Sequence, residues 1–201
     1  MTPLRPMKLA DLQYIPHFDL LAPQLLFRVQ HSSARTGTVK IGTRLLLLPP
    51  SNLLSGRFDI AGQPVAYFAE RPETAVYETI CRREAIGVSY ALMAKRSLLS
   101  VQTTANLPLL DLRPHASSWP VLHSLRFDQT QALAAEAHAA GFLGIVYKSA
   151  QRYDNDCFAL WGQTLTALRR MSVESLIELG SGNLHVALAT ALNGSRLPLL
   201  P

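Results

Sequence analysis

The stretch GRFDIAGQPVAYFAERPETAVYE, residues 56–78, holds signals for a turn, a strand and a helix in quick succession. A glycine–glutamine–proline sequence at residues 62–64 marks a turn, and the apolar residues after it predict a strand over residues 64–69. Pro72 suits the first turn of a helix, where no backbone donor is needed. Glu73 complements the positive end of the helix dipole. The stretch therefore predicts a strand that leads directly into a helix.

Outside this stretch, predicted strands outnumber predicted helices. Short apolar runs predict strands at residues 24–30, 45–48, 89–93, 98–103, 107–112, 143–148 and 157–161. An alanine-rich helix is predicted to begin at Asp128, with Asp128 and Gln131 as a capping pair. A last helical stretch is predicted from Ser172 to about Leu192, with a break around Gly180–Gly182. Many short strands with a few helices, in no regular alternation, predict an α+β fold with mixed or antiparallel strands.

The composition is that of a single folded domain. Of the 201 residues, 48% are hydrophobic and 16% are charged, which is enough apolar material for a core. The formal net charge of +5 is compatible with anionic partners such as nucleic acid, a phosphorylated ligand or an acidic protein. The basic residues are scattered, however, and form no stripe with interleaved aromatic residues. Direct nucleic-acid binding is therefore not expected.

The two cysteines, Cys81 and Cys157, are too few for a disulfide framework or a CxxC metal site. Residues 1–12 lack the continuous apolar segment of a signal peptide, and no apolar run approaches membrane-spanning length. We therefore expect a cytoplasmic protein with free thiols and no membrane association.

The sequence lacks the motifs of several common ligand sites. Neither GxGxxG nor GxxxxGK[ST] occurs, so neither standard phosphate-binding loop is available. The six histidines show no metal-ligand spacing, which argues against a zinc centre or a Ser/His triad. No metal and no resident cofactor are expected.

Four segments, taken in order, resemble the RES domain family. They are residues 26–28; residues 56–59 with the strand 65–69; residues 73–78; and residues 144–150, which lead to Asn155 and residues 157–160. The resemblance covers about residues 24–163. It leaves residues 1–23 as an irregular lead-in and residues 164–201 as a C-terminal helical extension that packs on the domain or on a partner.

The resemblance implies a fold related to ADP-ribosyltransferases and an enzyme that breaks the nicotinamide–ribose bond of NAD+, with NAD+ as substrate. Carried over by motif, the candidate site residues are Arg28, Arg57, Tyr67, Glu78, Ser149 and Asn155. The sequence departs from the family at Phe58-Asp59, where the second arginine is usually followed by Trp or Tyr and then Asn. A carboxylate at this point would repel a pyrophosphate, so contact between Asp59 and the ligand is not expected.

The implied chemistry suits these residue types. Breaking the bond leaves an oxocarbenium-like ribose, and a nearby carboxylate such as Glu78 stabilises that cation. The pyrophosphate needs donors in a fork geometry, which Arg28 and Arg57 provide. Tyr67 suits stacking on the nicotinamide ring, and Ser149 suits a hydrogen bond to the amide or to a phosphate oxygen. Glu78, Arg28 and Tyr67 are the catalytic candidates in this scheme.

The same residues also have structural interpretations. Glu78 and Arg82 are spaced i, i+4, in the order that favours a surface ion pair. Arg28 suits an edge strand, where a charge discourages aggregation. Tyr67 alternates with Val65 in an apolar strand and suits the core. The serine and the asparagine suit a strand end and a turn.

The resemblance implies the toxin of a bacterial toxin–antitoxin pair, which depletes NAD+ with water or phosphate as the acceptor. Transfer of ADP-ribose to a cellular protein is an alternative, because no motif marks the acceptor pocket. An RNA-cleaving toxin is a further alternative, suggested by the basic charge and the histidines. The implied partner is a helix-turn-helix antitoxin, and a homo-oligomer is left open.

Overall fold

The computed structural model describes residues 8–11, 15–42, 46–125, 127–178 and 180–200. The strands in this part of the chain are β1 (His17–Leu20), β2 (Leu25–His31), β3 (Val39–Ile41), β4 (Leu46–Leu48), β5 (Val65–Ala69), β6 (Val88–Ser89), β7 (Arg96–Thr103), β8 (Leu107–Asp111), β9 (Gly144–Lys148), β10 (Asp156–Trp161), β11 (Leu168–Ser175) and β12 (Leu199–Leu200). Eight of them form one sheet in the order β1-β8-β9-β10-β5-β2-β7-β11. Neighbours in this sheet pair antiparallel, except that β8 and β9 are parallel.

Helices are few and short. The α-helices are α1 (Pro72–Thr79), α2 (Tyr90–Met93), α3 (Asp128–Ala139) and α4 (Val186–Ser195), and 3-10 helices span Leu9–Asp11, Arg113–His115, Pro120–His123 and Gly162–Ala167. Within the described ranges, no helix is long and apolar enough to cross a membrane. The mixed, mostly antiparallel sheet with a few helices confirms the predicted α+β fold.

Residues 56–78 fold as predicted. β5 lies inside the large sheet between β2 and β10, and α1 begins three residues after it with Pro72 in its first turn. Alternate side chains of β5 enter two apolar clusters: Val65 and Ala69 enter one, and Ala66 and Phe68 enter the other. Because β5 is buried on both sides, it fixes the position of the loop before it and the helix after it.

The C-terminal part begins with a strand and not with the helix that was predicted from Ser172 onward. Leu168–Ser175 is strand β11, which pairs antiparallel with β7 and forms an edge of the large sheet. Helix begins only at Val186, and α4 packs against α1. The helix prediction is wrong over residues 172–175. Because β11 is mostly exposed, the spacing of its apolar residues does not determine its conformation, and pairing with β7 does. Leu179, which belongs to the predicted helical stretch, lies outside the described residues.

The predicted strand at residues 89–93 is also wrong. Only Val88–Ser89 is extended, and it pairs in parallel with β12 at the far end of the chain. The residues that follow form helix α2, which buries Met93. The predicted strand at residues 45–48 is observed as Leu46–Leu48, and Leu45 lies outside the described residues.

The predicted capping pair of α3 is not formed. Phe127 occupies the N-cap position, so Asp128 lies in the first turn of the helix and caps nothing. The side chain of Gln131 instead donates to the backbone carbonyls of Leu54 and Gly56, both at 2.8 Å. A long-range contact with the loop before β5 thus takes the place of the local one.

Candidate active site

A cavity of about 600 Å³ opens beside the inner strands β2 and β5. Its wall is built from β2, β5, α1 and the segment 47–59, and its volume is within the roughly 300–1,000 Å³ usual for ligand sites. Four of the predicted site residues lie on this wall: Arg28, Arg57, Tyr67 and Glu78. The fold therefore brings together residues that are far apart in the sequence.

Arg28 projects from β2 into the cavity. Its Nη1 donates to the backbone carbonyl of Tyr67 at 3.0 Å, and its Nε has no hydrogen-bond partner among the described residues. Burial, with a contribution from Arg96, lowers the pKa of Arg28 to about 10. Because β2 lies between β5 and β7, the alternative of an edge-strand charge does not apply. A guanidinium with a buried, unpaired Nε has the chemistry to bind an anion.

Arg57 follows Gly56 in the loop before β5, and α3 holds its backbone. Its carbonyl accepts from the Thr130 hydroxyl at 2.5 Å, and the carbonyl of Gly56 accepts from Gln131. The guanidinium lies 5.9 Å from the centre of the Phe127 ring. As with Arg28, the Nε is buried and has no partner in the described part of the chain.

Tyr67 is fixed by the same loop. Its hydroxyl donates to Asp59 Oδ1 at 2.8 Å and accepts from the Phe58 amide at 2.8 Å. The other oxygen of Asp59 accepts from the Gly56 amide at 2.6 Å. Burial and the Asp59 carboxylate raise the pKa of Tyr67 well above its usual value. The hydroxyl therefore stays protonated, and the aromatic ring of Tyr67 is the part that lines the cavity.

Gly56 has no room for a side chain in this arrangement. A Cβ atom at this position would lie within 3.0 Å of Asp59 and of the Tyr67 ring and hydroxyl. Asp59, the residue that departs from the family pattern, thus closes the loop and orients the tyrosine. Both of its carboxylate oxygens accept hydrogen bonds from the protein.

Glu78 lies in the last turn of α1. Its Oε1 accepts from the Ser149 hydroxyl at 2.5 Å and from the Gln151 amide at 3.2 Å. Arg82 does not form the alternative ion pair with Glu78. It lies 3.4 Å from the carboxylate of Glu84 at the surface instead. The carboxylate is therefore held by the segment after β9 and is oriented on the cavity wall.

The structure does not bring Ser149 and Asn155 to the cavity wall. Ser149 is fully buried behind Glu78, where its hydroxyl also accepts from the Arg152 amide at 2.8 Å. Asn155 accepts from the Thr74 hydroxyl at 2.7 Å, and its carbonyl accepts from the Ser149 amide at 2.9 Å. The two residues stabilise the segment that holds Glu78.

Besides Arg82, three basic residues of the wall were not among the predicted site residues. They are His31, Arg35 and Arg96, and none belongs to a motif that the sequence analysis used. His31 and Arg96 become neighbours only because β2 and β7 pair with these two residues in register. Such a contact between distant segments leaves no local signal in the sequence. In the described ranges, no three His, Cys, Asp or Glu side chains form a group that could hold a metal ion.

Comparison with known proteins supports the fold and identifies the family. The chain is similar to a chain in the crystal structure of the M. tuberculosis MbcT–MbcA toxin–antitoxin complex, with a TM-score of 0.59, 14% identity, and coverage of 79% of this chain and 86% of that one. No match is found among curated protein sequences. The sequence model of the RES domain family matches residues 25–179, which include every residue of the cavity wall described above. The protein belongs to the RES domain family.

Proposed function

We propose that this RES domain is the toxin of a toxin–antitoxin pair and cleaves the nicotinamide–ribose bond of NAD+. The observation that carries the proposal is one cavity that holds an oriented carboxylate, Glu78, and two half-buried arginines, Arg28 and Arg57, whose buried Nε atoms have no partner among the described residues. The shared fold with a chain of a toxin–antitoxin complex supports the biological role.

The arginines suit the pyrophosphate of the dinucleotide. Each has a buried Nε that lacks an acceptor in the described structure, and phosphate oxygens supply acceptors in the matching fork geometry. A bound pyrophosphate would also compensate the burial that lowers the pKa of Arg28. This interaction is equal before and during bond cleavage, so it contributes to substrate binding more than to the chemical step.

Glu78 suits the ribose next to nicotinamide. As the glycosidic bond breaks, its electron pair leaves with neutral nicotinamide, and positive charge develops on the ribose. A carboxylate fixed by Ser149 and Gln151 stabilises this charge without having to reorient. Water or phosphate then bonds to the anomeric carbon and, for water, releases a proton. In this scheme Glu78 is the catalytic residue, and Ser149 positions it.

Tyr67 suits a wall for the nicotinamide ring. Its hydroxyl already donates to Asp59 and accepts from the Phe58 amide, so it has no proton to exchange with the substrate. The aromatic face remains for stacking, which favours an offset or edge-on ring contact. The proposed partner protein is a helix-turn-helix antitoxin that covers the cavity.

The test is nicotinamide release by purified, chelator-treated protein. Glu78→Gln is expected to lower kcat on the order of a hundredfold, about 3 kcal/mol, with little change in KM, because the charge acts on the transition state. Glu84→Gln is the matched control, since it removes an exposed carboxylate outside the cavity wall. Unchanged turnover in Glu78→Gln would remove the catalytic assignment, and intact NAD+ together with RNA cleavage would overturn the proposal.

The products identify the acceptor. Hydrolysis gives free ADP-ribose, phosphorolysis gives its 1″-phosphate, and transfer gives a protein of increased mass. Mass spectrometry of a reaction that contains phosphate and a cell extract distinguishes the three.

A further inference from the structure

The cavity carries more positive charge than its proposed roles require. Its wall contains five arginines, Arg28, Arg35, Arg57, Arg82 and Arg96, and two carboxylates, Asp59 and Glu78. Both carboxylates already accept hydrogen bonds from neighbouring protein groups, and Arg82 pairs with Glu84 outside the wall. Arg28 and Arg57 are assigned to the pyrophosphate. Arg35 and Arg96 then remain without an assigned anion.

These two arginines and His31 form a compact group, the Arg35–Arg96 cluster. Arg35 Nη1 lies 3.3 Å from His31 Nε2, and His31 and Arg96 are paired across β2 and β7. Burial and both arginines lower the pKa of His31, and burial and Arg35 lower that of Arg96. The two arginines thus converge on one histidine, and an anion bound between them would offset their mutual repulsion.

The cluster lies on the far side of Arg28 from Glu78. Glu78 is hydrogen-bonded to Ser149, which directly follows β9, whereas Arg28 lies on β2 and Arg96 on β7. The sheet order β9-β10-β5-β2-β7 therefore places Glu78 first, Arg28 next and the Arg35–Arg96 cluster last. A dinucleotide whose nicotinamide ribose is at Glu78 and whose pyrophosphate is at Arg28 places its adenosine end at the cluster.

We propose that the Arg35–Arg96 cluster binds a phosphate group on the adenosine end of the substrate, so that the 2′-phosphorylated dinucleotide NADP+ is cleaved in preference to NAD+. This proposal rests on the proposed function and names the substrate of the same site. In NAD+, the charge of the pyridinium partly offsets that of the pyrophosphate, and the adenosine end is neutral. A 2′-phosphate adds about −1.5 to −2 charges at neutral pH, together with oxygens that accept from arginine.

The wall beside the cluster suits this end of the ligand. Ser33, Thr36 and Thr38 contribute polar groups, and Pro50 and the exposed Leu53 contribute apolar surface that an adenine ring would cover. Inorganic phosphate offers the same chemistry to the cluster as a 2′-phosphate. The experiment therefore separates a phosphate carried by the substrate from a free phosphate that acts as acceptor.

The kinetic test compares kcat/KM for NADP+ and NAD+ in phosphate-free buffer. The wild-type ratio is expected to be about ten or more, since hydrogen bonds to charged groups contribute on that order. Arg35→Gln and Arg96→Gln are expected to lower the ratio about tenfold each, mainly through KM for NADP+. Arg170→Gln, which removes an exposed arginine of β11 outside the cavity, is expected to leave both substrates unchanged.

A binding measurement separates this proposal from the proposed function. Calorimetry with adenosine 2′,5′-bisphosphate and with 5′-AMP requires no catalysis, and the first is expected to bind about tenfold more tightly in wild type but not in Arg96→Gln. Cleavage of NAD+ with a substrate ratio of one or less overturns the 2′-phosphate site while the proposed function stands. Tighter binding of the bisphosphate without cleavage of either dinucleotide supports the site while the proposed function fails. NAD+ cleavage that rises with added phosphate, and loses this response in Arg96→Gln, assigns the cluster to free phosphate and overturns the proposal.

Discussion

The half-buried Arg113 differs from the half-buried Arg28 and Arg57 in how completely the protein pairs its guanidinium group. Arg113 uses all of its guanidinium nitrogens: Nε and Nη2 donate to Asp111 at 2.9 and 2.8 Å, and Nη1 donates to Asp156 at 2.7 Å. Lys148 also contacts Asp156, at 2.7 Å. Arg28 and Arg57, in contrast, each leave a buried Nε without a partner in the described structure.

The pKa values follow this difference in pairing. The two carboxylates raise the pKa of Arg113, whereas burial lowers that of Arg28. The cation at Arg113 therefore stabilises the fold at every ordinary pH, and the cation at Arg28 opposes folding until an anion binds. The protein thus supplies the partners of Arg113 itself, whereas Arg28 and Arg57 keep donor capacity that the proposed function assigns to a bound anion.

The largest expected effect is at the paired site. Arg113→Met removes three charge-assisted hydrogen bonds and leaves Asp156 with Lys148 and Asp111 with the backbone amide of residue 113, so the free energy of unfolding should fall by about 3 kcal/mol in urea titrations. Arg170→Met, at an exposed position of β11, is the control and should change stability by less than about 0.5 kcal/mol. Equal stability of the two variants would show that the Arg113 network is not structural.

The next effect is at the incomplete site and has the opposite character. Arg28→Met should raise KM for the dinucleotide about tenfold, with a smaller change in kcat, because a bound charge is lost in both ground and transition states. The free energy of unfolding should change by less than about 1 kcal/mol, since relief from burying a charge offsets the lost hydrogen bond to Tyr67. A large loss of stability would move Arg28 into the same class as Arg113.

A smaller effect is expected at Asp59, the carboxylate nearest to Tyr67. Asp59→Asn removes one negative charge from the cavity, so KM should fall about twofold to threefold, although its amide nitrogen replaces one of the two oxygens that accept from Gly56 and Tyr67. Asp59→Ala also removes the acceptors for Gly56 and Tyr67, and should lower the free energy of unfolding by about 1–2 kcal/mol. A rise in KM for Asp59→Asn would mean that the carboxylate itself contacts the substrate.

The smallest effect concerns pH. His31, facing Arg35, Arg96 and the Lys95 carbonyl, and His123, facing Arg57, Arg83, Glu78 and the Ala116 carbonyl, both have pKa values below the usual 6.5. A lowered folded-state pKa means that stability is fully present above 6.5 and is lost as the pH falls below it. Unfolding free energies measured between pH 7 and 5 should therefore decline less steeply in His31→Gln/His123→Gln than in wild type. An equal slope would contradict the assignment.

The parts of the fold that sequence could predict are those with local signals. The turn, strand and helix of residues 56–78 carry their own glycine, proline and apolar signals, and they form as expected. β11 carries no such signal, because it owes its conformation to pairing with β7. Tyr90–Met93 is helical although its apolar residues are equally suited to a strand.

The site divides in the same way. Motifs were sufficient to select Arg28, Arg57, Tyr67 and Glu78, which the fold brings to one cavity. They could not reveal that Ser149 lies behind Glu78, since a motif gives the residue type and not the direction of the side chain. The Arg35–Arg96 cluster was missed because its members meet only through the register of two strands.

The crowding around Gly56 has an evolutionary consequence. Any side chain at position 56 collides with the ring of Tyr67 as well as with its hydroxyl, so replacing Tyr67 by Phe would not make room. The positions are epistatic: a substitution at 56 requires a lineage that has already lost the ring at 67 and has also moved or shortened Asp59, whose Oδ1 would lie 2.5 Å from the new Cβ. Such a lineage would first have to survive without the aromatic wall of its cavity. Descendants that keep the tyrosine are therefore expected to keep the glycine.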